Sequence, residues 1–98
     1  MSYRLVIRPE AKAELMEAYH WYEDRSKGLG EEFLRCVISR LTFIQRNPKL
    51  FPAVHKKFRK ALVRRFPFGI FYVIKREVVF VIAIYHASRD PERWRERQ

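Results

Sequence analysis

The feature that most constrains the fold of this 98-residue chain is the stretch over residues 58–89, in which three segments rich in apolar residues follow one another closely. Segments rich in Val, Ile, Phe and Tyr cover residues 58–65, 68–75 and 78–85, which predicts three consecutive β-strands. Only Phe66-Pro67 and Arg76-Glu77 separate them. Because a parallel crossover needs about a dozen residues, such short links predict antiparallel neighbours. The stretch therefore predicts a β-meander.

The last two of these strands are apolar on both faces. Residues 69–74 and 78–85 do not alternate apolar with polar side chains, as a half-exposed antiparallel strand does. Helices from the first half of the chain are expected to cover one face. The other face then needs a folded-back tail, a second copy of the chain or a different protein.

The first half of the chain predicts a short strand and two helices. Residues 3–7 are a strand candidate, and Pro9 and Glu10 are typical of a first helical turn. One apolar stripe runs to about residue 25, and a second follows Gly28 and Gly30 and ends at Asn47-Pro48. The first stripe contains Ala11, Leu15, Ala18 and Tyr22, and the second contains Phe33, Val37, Leu41 and Ile44, joined by Leu34 and Ile38.

These elements predict a single α+β domain over residues 1–98. It has two layers in the order β-α-α-β-β-β, with a helical hairpin packed on one face of a mainly antiparallel sheet. Asp90 and Pro91 are typical of a helix start. Residues 87–98 are therefore expected to form a short docked helix or an extended segment, with Trp94 as its contact to the domain.

The charge balance favours an anionic partner. The chain has 21 Lys and Arg against 11 Asp and Glu, a formal charge of +10. The single cysteine excludes an internal disulfide, and no apolar run is long enough for a signal peptide or a membrane span. We therefore expect a cytoplasmic protein with no membrane association. The residues predicted to contact a target or another anion are Lys56, Lys57, Arg59, Arg64 and Arg89.

The sequence offers a metal-free constellation for RNA cleavage rather than a metal site. No His or Cys pair has zinc-site spacing, and no cofactor motif is present. Cleavage of RNA needs an acid, a base and cations that stabilise the phosphate. Tyr85 and His86 are candidates for acid and base, with Arg65 and the other strand arginines as cations. In a regular strand Tyr85 and His86 point to opposite faces.

A set of short motifs spans nearly the whole chain and resembles one family. The motifs are Glu14-Leu15, Trp21-Tyr22-Glu23, Ser26 with residues 28–33, Asn47-Pro48 with Phe51-Pro52, Arg65-Phe66-Pro67-Phe68, Tyr72, and His86 with Arg89-Asp90-Pro91 and Trp94. With these motifs in this order, the chain resembles the RelE/ParE superfamily of toxins from bacterial type II toxin–antitoxin modules, often described as plasmid-stabilisation proteins.

The resemblance implies a growth-inhibiting toxin, neutralised by a cognate antitoxin in a hetero-oligomer. Trp21-Tyr22-Glu23 and Gly28-Leu29-Gly30 are closer to ParE-type members, which poison DNA gyrase. Two alternatives remain open: a RelE-like endonuclease that cuts mRNA on the ribosome with Arg65, Tyr85 and His86, and a non-toxic antitoxin-binding module that acts in operon autoregulation. The residues expected to bind the antitoxin are Ile70, Tyr72, Ile74, Phe80 and Trp94.

Overall fold

The computed structural model describes residues 3–88 and contains two helices and five strands. Both helices follow the sequence signals: α1 begins at Pro9, and α2 ends beside Asn47, whose N–H bonds the Phe43 carbonyl at 2.9 Å. The elements in chain order are β1 (Arg4–Ile7), α1 (Pro9–Arg25), α2 (Leu29–Arg46), β2 (Ala53–His55), β3 (Phe58–Leu62), β4 (Phe68–Lys75) and β5 (Val78–His86).

The five strands form one sheet in the order β1-β5-β4-β3-β2. The strands from β2 to β5 are antiparallel neighbours, which confirms the predicted meander. At the other edge β1 lies parallel to β5, with Val6 opposite Phe80. The hairpin of α1 and α2 packs on one face, so the two-layer α+β architecture is confirmed.

The core between the helices and the sheet is built from the predicted apolar stripes. Ala11, Leu15 and Ala18 of α1 are buried there, as are all four of the spaced residues of α2. Ile38 differs from the prediction, because its side chain is 52% exposed. It lies one position beyond Val37, outside the α2 stripe that faces the sheet.

The opposite face of the sheet carries a second apolar cluster. Its side chains are only 0–6% exposed in the single chain. Of the three covers expected for this face, neither a second copy nor another protein is required to shield these residues in the single chain. The cluster contains Phe58, Phe71, Val73, Ile82, Ala83 and Tyr85, with Phe80 partly buried against it.

Two parts of the meander differ from the predicted strands. Strand β3 ends at Leu62 rather than at residue 65, so a five-residue loop over residues 63–67 joins it to β4. Within this loop the Val63 N–H bonds the Phe68 carbonyl at 2.9 Å. Residues 53–55, for which the sequence predicted no strand, form the short edge strand β2, in which Ala53 lies opposite Arg59.

The turn between the helices is held by a carboxylate from α1. Glu23 accepts hydrogen bonds from the N–H groups of Gly28 at 3.0 Å and Gly30 at 2.9 Å. The first N–H groups of a helix lack partners within it, so Glu23 stabilises the N-terminus of α2. The hydrogen bond from Gly28 is the main reason that the pKa of the Glu23 carboxyl is lowered. These contacts explain how Glu23, placed before the Gly-rich turn, fixes the start of α2.

The Glu23 contacts predict a dependence of stability on pH. Because the folded carboxyl has the lower pKa, the unfolded chain binds the proton first as the pH falls. The stabilisation is complete above the ordinary value of 4.5 and is lost as the pH falls through the lowered, folded pKa. Urea unfolding at several pH values measures how the free energy of unfolding depends on pH. Glu23→Gln is expected to remove this part of the dependence, whereas Asp24→Asn, at the exposed neighbouring position, is expected to retain it. Identical slopes for the two variants would contradict the assignment.

Candidate functional site

The chemistry-bearing residues singled out by the sequence lie in three places. Lys56 and Lys57 form the turn between β2 and β3, and Arg59 follows in β3. Arg64 and Arg65 lie in the β3–β4 loop. Tyr85 and His86 end β5, while Arg89 and Trp94 lie outside the described residues.

Arg59 holds the connector between α2 and β2. Its Nη1 donates to the carbonyls of Phe51 at 2.6 Å and Lys49 at 3.2 Å. The Tyr72 hydroxyl, buried nearby, donates to the Pro48 carbonyl at 2.6 Å. Burial raises the pKa of Tyr72 to about 12, against a lowering effect from Arg59. Arg59 is thus engaged within the fold, whereas the exposed Lys56 and Lys57 can reach an anion.

The β3–β4 loop lies against α2 and forms a basic pocket of about 290 Å³ with it. Arg65 Nη2 lies 3.1 Å from Glu32 Oε1 of the helix. We call this site the arginine pocket; it is lined by Glu32, Arg35, Cys36, Ser39, Arg40, Arg64 and Arg65. The sequence predictions missed Arg35 and Arg40. Arg35 and Arg40 lie three and eight residues after Glu32 on the same helix, which places all three on one face. This spacing was the sequence signal that could have identified them as part of the pocket.

The end of β5 borders a second cleft, of about 350 Å³, against α1. His86 Nδ1 accepts the Ser88 N–H at 3.1 Å and lies 2.8 Å from Ser88 Oγ. The neutral imidazole that accepts this bond carries its proton on Nε2. Tyr85 is 4% exposed, and its ring lies 6.4 Å from that of Phe71 in the second apolar cluster. Tyr85, His86 and Ser88 line the cleft together with residues that include Glu14, Glu17, Trp21 and Phe68.

The candidate nuclease residues are only partly brought together. Tyr85 and His86 both border the cleft against α1, whereas Arg65 borders the arginine pocket and is paired with Glu32. Arg65 and His86 therefore do not share a site in this arrangement.

The residues expected to bind a partner occupy different layers. Ile70 and Tyr72 are 0% exposed beneath the helices, and Ile74 packs partly buried against the same core. The helical layer covers Ile70 and Tyr72 in the single chain, and their role in antitoxin binding stays a prediction. Phe80 lies partly buried on the opposite face of the sheet.

Among residues 3–88, no three His, Cys, Asp or Glu side chains are grouped so that they could hold a metal ion. None of the helices in that range is long and apolar enough to span a membrane.

Comparison with a family profile decides the family. The profile described as "ParE toxin of type II toxin-antitoxin system, parDE" matches residues 5–91. This chain belongs to the ParE toxin family. The match includes the whole helical hairpin and all five strands except Arg4, so the resemblance drawn from the motifs is confirmed. No curated protein sequence matches this ParE-family toxin.

Solved structures share the fold of this ParE-family toxin at low identity. A chromosomal ParDE toxin–antitoxin system from P. aeruginosa matches with a TM-score of 0.77 and 16% identity, over 89% of this chain and 98% of the other. A mutant of E. coli toxin RelE in the free state matches with a TM-score of 0.69 and 19% identity, over 99% and 95%. The toxin–antitoxin complex RelBE2 from Mycobacterium tuberculosis matches with a TM-score of 0.64 and 16% identity, over 90% and 95%.

Proposed function

We propose that this ParE-family chain is a growth-inhibiting toxin that acts on DNA gyrase. The observation that carries the proposal is the family match over residues 5–91. The geometry of the candidate nuclease residues also supports it. Arg65 is paired with Glu32 at 3.1 Å and borders a different pocket from His86. A poison that acts by binding does not require these residues to meet.

A cognate antitoxin neutralises the toxin in the same proposal, as part of a hetero-oligomer in the cytoplasm. The solved relatives include a ParDE system and a RelBE2 toxin–antitoxin complex, which supports a protein partner of this kind. Phe80 remains a candidate contact on the sheet face away from the helices. Lys56 and Lys57 are exposed cations that suit an acidic antitoxin segment.

Controlled expression in a bacterial host tests the target. We expect growth arrest with altered plasmid supercoiling or gyrase-linked DNA breaks, while ribosome-associated transcripts keep their 5′ ends. His86→Ala and Arg65→Ala are expected to leave the change in supercoiling intact, because neither residue acts chemically in this proposal. New 5′ ends in translated messages, without a change in supercoiling, would overturn it.

A RelE-like, ribosome-dependent mRNA endonuclease is the second candidate. Two observations favour it: the RelE structure covers 99% of this chain, and the His86 imidazole borders an open cleft with Nε2 available as a donor. In that case His86→Ala abolishes message cleavage without unfolding the protein. Absence of any growth effect would instead favour a non-toxic antitoxin-binding module that acts in operon autoregulation.

A further inference from the structure

We propose that the arginine pocket binds a phosphodiester group of a nucleic-acid backbone, with Arg35, Arg40 and Arg64 as its ligands. The proposal goes beyond the choice of target, since it concerns a site on the helical side of the molecule and not the end of β5. It makes this pocket a second functional surface of the toxin.

The pocket has two walls from distant parts of the chain. One face of α2 supplies Arg35 and Arg40, and the β3–β4 loop supplies Arg64 and Arg65. At about 290 Å³ the space between them admits a phosphate group with its flanking oxygens. Arginine side chains on both walls can therefore contact one phosphate from two sides.

The pocket has an excess of positive charge. Four guanidinium groups and one carboxylate line it, and the carboxylate of Glu32 is already paired with Arg65. Within residues 3–88, Arg35 and Arg64 form no ion pair, and both are exposed. Three positive charges held together repel one another, so the arrangement favours binding of an anion.

Arg40 provides a donor that lacks a partner. Its Nε is shielded from solvent and makes no hydrogen bond in the described chain. Its guanidinium lies 5.8 Å from the ring centre of Phe43 and 5.7 Å from that of Phe51, which restricts its position. Arg40 thus lines the pocket with a guanidinium whose Nε has no acceptor within the described chain, and an unpaired shielded donor is costly.

The β3–β4 loop is held in an uncommon conformation beside the pocket. Arg65 has a φ of 71°, in the left-handed region that favours glycine. The ion pair with Glu32 holds this residue against α2. Lys56 and Arg76 adopt a positive φ in the two hairpin turns as well, and at Arg65 this conformation places two consecutive arginines at the mouth of a pocket.

A phosphate suits this donor set better than a carboxylate. Guanidinium groups bind phosphate oxygens in bidentate pairs, and one phosphate accepts from several of them at once. A nucleic-acid backbone supplies the phosphate without requiring a particular sequence, in keeping with the formal charge of +10.

Binding to labelled oligonucleotides tests the site with purified full-length protein. The Arg35→Gln/Arg64→Gln double variant is compared with Arg4→Gln/Arg46→Gln, which removes the same charge from exposed positions elsewhere. Fluorescence anisotropy is measured with a DNA duplex and a single-stranded RNA at several salt concentrations. We expect the Arg35→Gln/Arg64→Gln variant, called the pocket variant, to bind the oligonucleotides about tenfold or more weakly. The slope of its log affinity against log salt concentration is expected to fall in magnitude by about two. The affinity of the control variant is expected to change by less than about threefold.

Equal losses in the two double variants would mean diffuse attraction by net charge and would overturn the site. The relative losses with DNA and RNA distinguish the source of the phosphodiester. Circular dichroism verifies that each variant folds. If the Arg35→Gln/Arg64→Gln protein fails to fold, the single variant Arg64→Gln, in an exposed loop, takes its place. If poly-glutamate competes as well as the oligonucleotides and loses affinity in the pocket variant, the ligand is an acidic peptide and the proposal is wrong.

Cys36 reports directly on occupancy, because it lines the pocket and is the single cysteine of the chain. Its alkylation by iodoacetamide is expected to slow in the presence of an oligonucleotide, compared with chloride at the same ionic strength. Protection by inorganic phosphate but not by either oligonucleotide would limit the site to free phosphate. That result would overturn binding of a backbone.

Discussion

Replacing Phe33 by alanine is expected to lower the free energy of unfolding by about 3–5 kcal/mol. The Phe33 side chain is fully buried. Its ring lies 5.2 Å from that of Phe66, 5.0 Å from that of Phe68 and 5.1 Å from that of Tyr22. It therefore joins α2 to α1, to the β3–β4 loop and to β4. A small domain has only about 5–15 kcal/mol in total, so a large share of the stability is lost.

Urea unfolding measures this loss, with Phe43→Ala as the matched control. Phe43 is also on α2 but is 41% exposed, so the same truncation there removes less buried surface. We expect the control to lose about 1 kcal/mol or less. Equal losses at the two positions would show that the aromatic cluster around Phe33 does not hold the helices on the sheet.

Replacing Gly30 by alanine is expected to destabilise the protein by about 1–3 kcal/mol, through overpacking between the helices. A Cβ at position 30 would lie 2.7 Å from the Tyr19 carbonyl oxygen and 2.9 Å from Glu23 Oε1. The first is a backbone atom of α1, so the helices must separate. In an ordinary helix the same substitution stabilises by about 0.5–1 kcal/mol. The sign of the effect therefore tests the close approach of the helices.

Gly69→Ala is the control for this prediction. A Cβ there would first meet Lys60 Cε at 3.0 Å, near the end of a flexible side chain. We expect the stability of the Gly69→Ala protein to differ from that of the original protein by no more than about 0.5–1 kcal/mol, in either direction. Thermal unfolding of both variants makes the comparison. If the Gly30→Ala protein is as stable as the Gly69→Ala protein, the close approach of α1 and α2 at Gly30 is contradicted.

The parts of the fold with strong local signals were predictable from the sequence. Pro9 and Asn47-Pro48 mark helix boundaries within a residue or two, and β4 has the predicted bounds. Strand β2 was missed because it is a three-residue edge strand with mostly exposed side chains, which carries no apolar pattern. The parallel pairing of β1 with β5 depends on contacts between the two ends of the described chain, which periodicity does not reveal.

The candidate site was less predictable, because it depends on which side chains meet across elements. Arg64 and Arg65 were evident in the sequence as two consecutive positive charges. Their position in a loop against α2 was not evident, because it follows from the early end of β3 at Leu62. Ile70 and Tyr72 matched the pattern of an uncovered strand, yet the helices bury them. Alternation within a strand does not say which face a helix covers. Only the packing decides that.

The position of β5 in the sheet has a consequence for how the toxin is made. Among residues 3–88 this strand is the last in chain order, yet it lies between β1 and β4, and Val6 pairs with Phe80. Contacts between such distant residues require closure of a long loop, which slows folding. During synthesis, β1 has no neighbour in the sheet until residue 78 and those after it have left the ribosome. A message cut or a ribosome stalled before that point therefore yields a fragment without β5, the strand that joins β1 to the rest of the sheet, and such a fragment cannot complete the toxin fold.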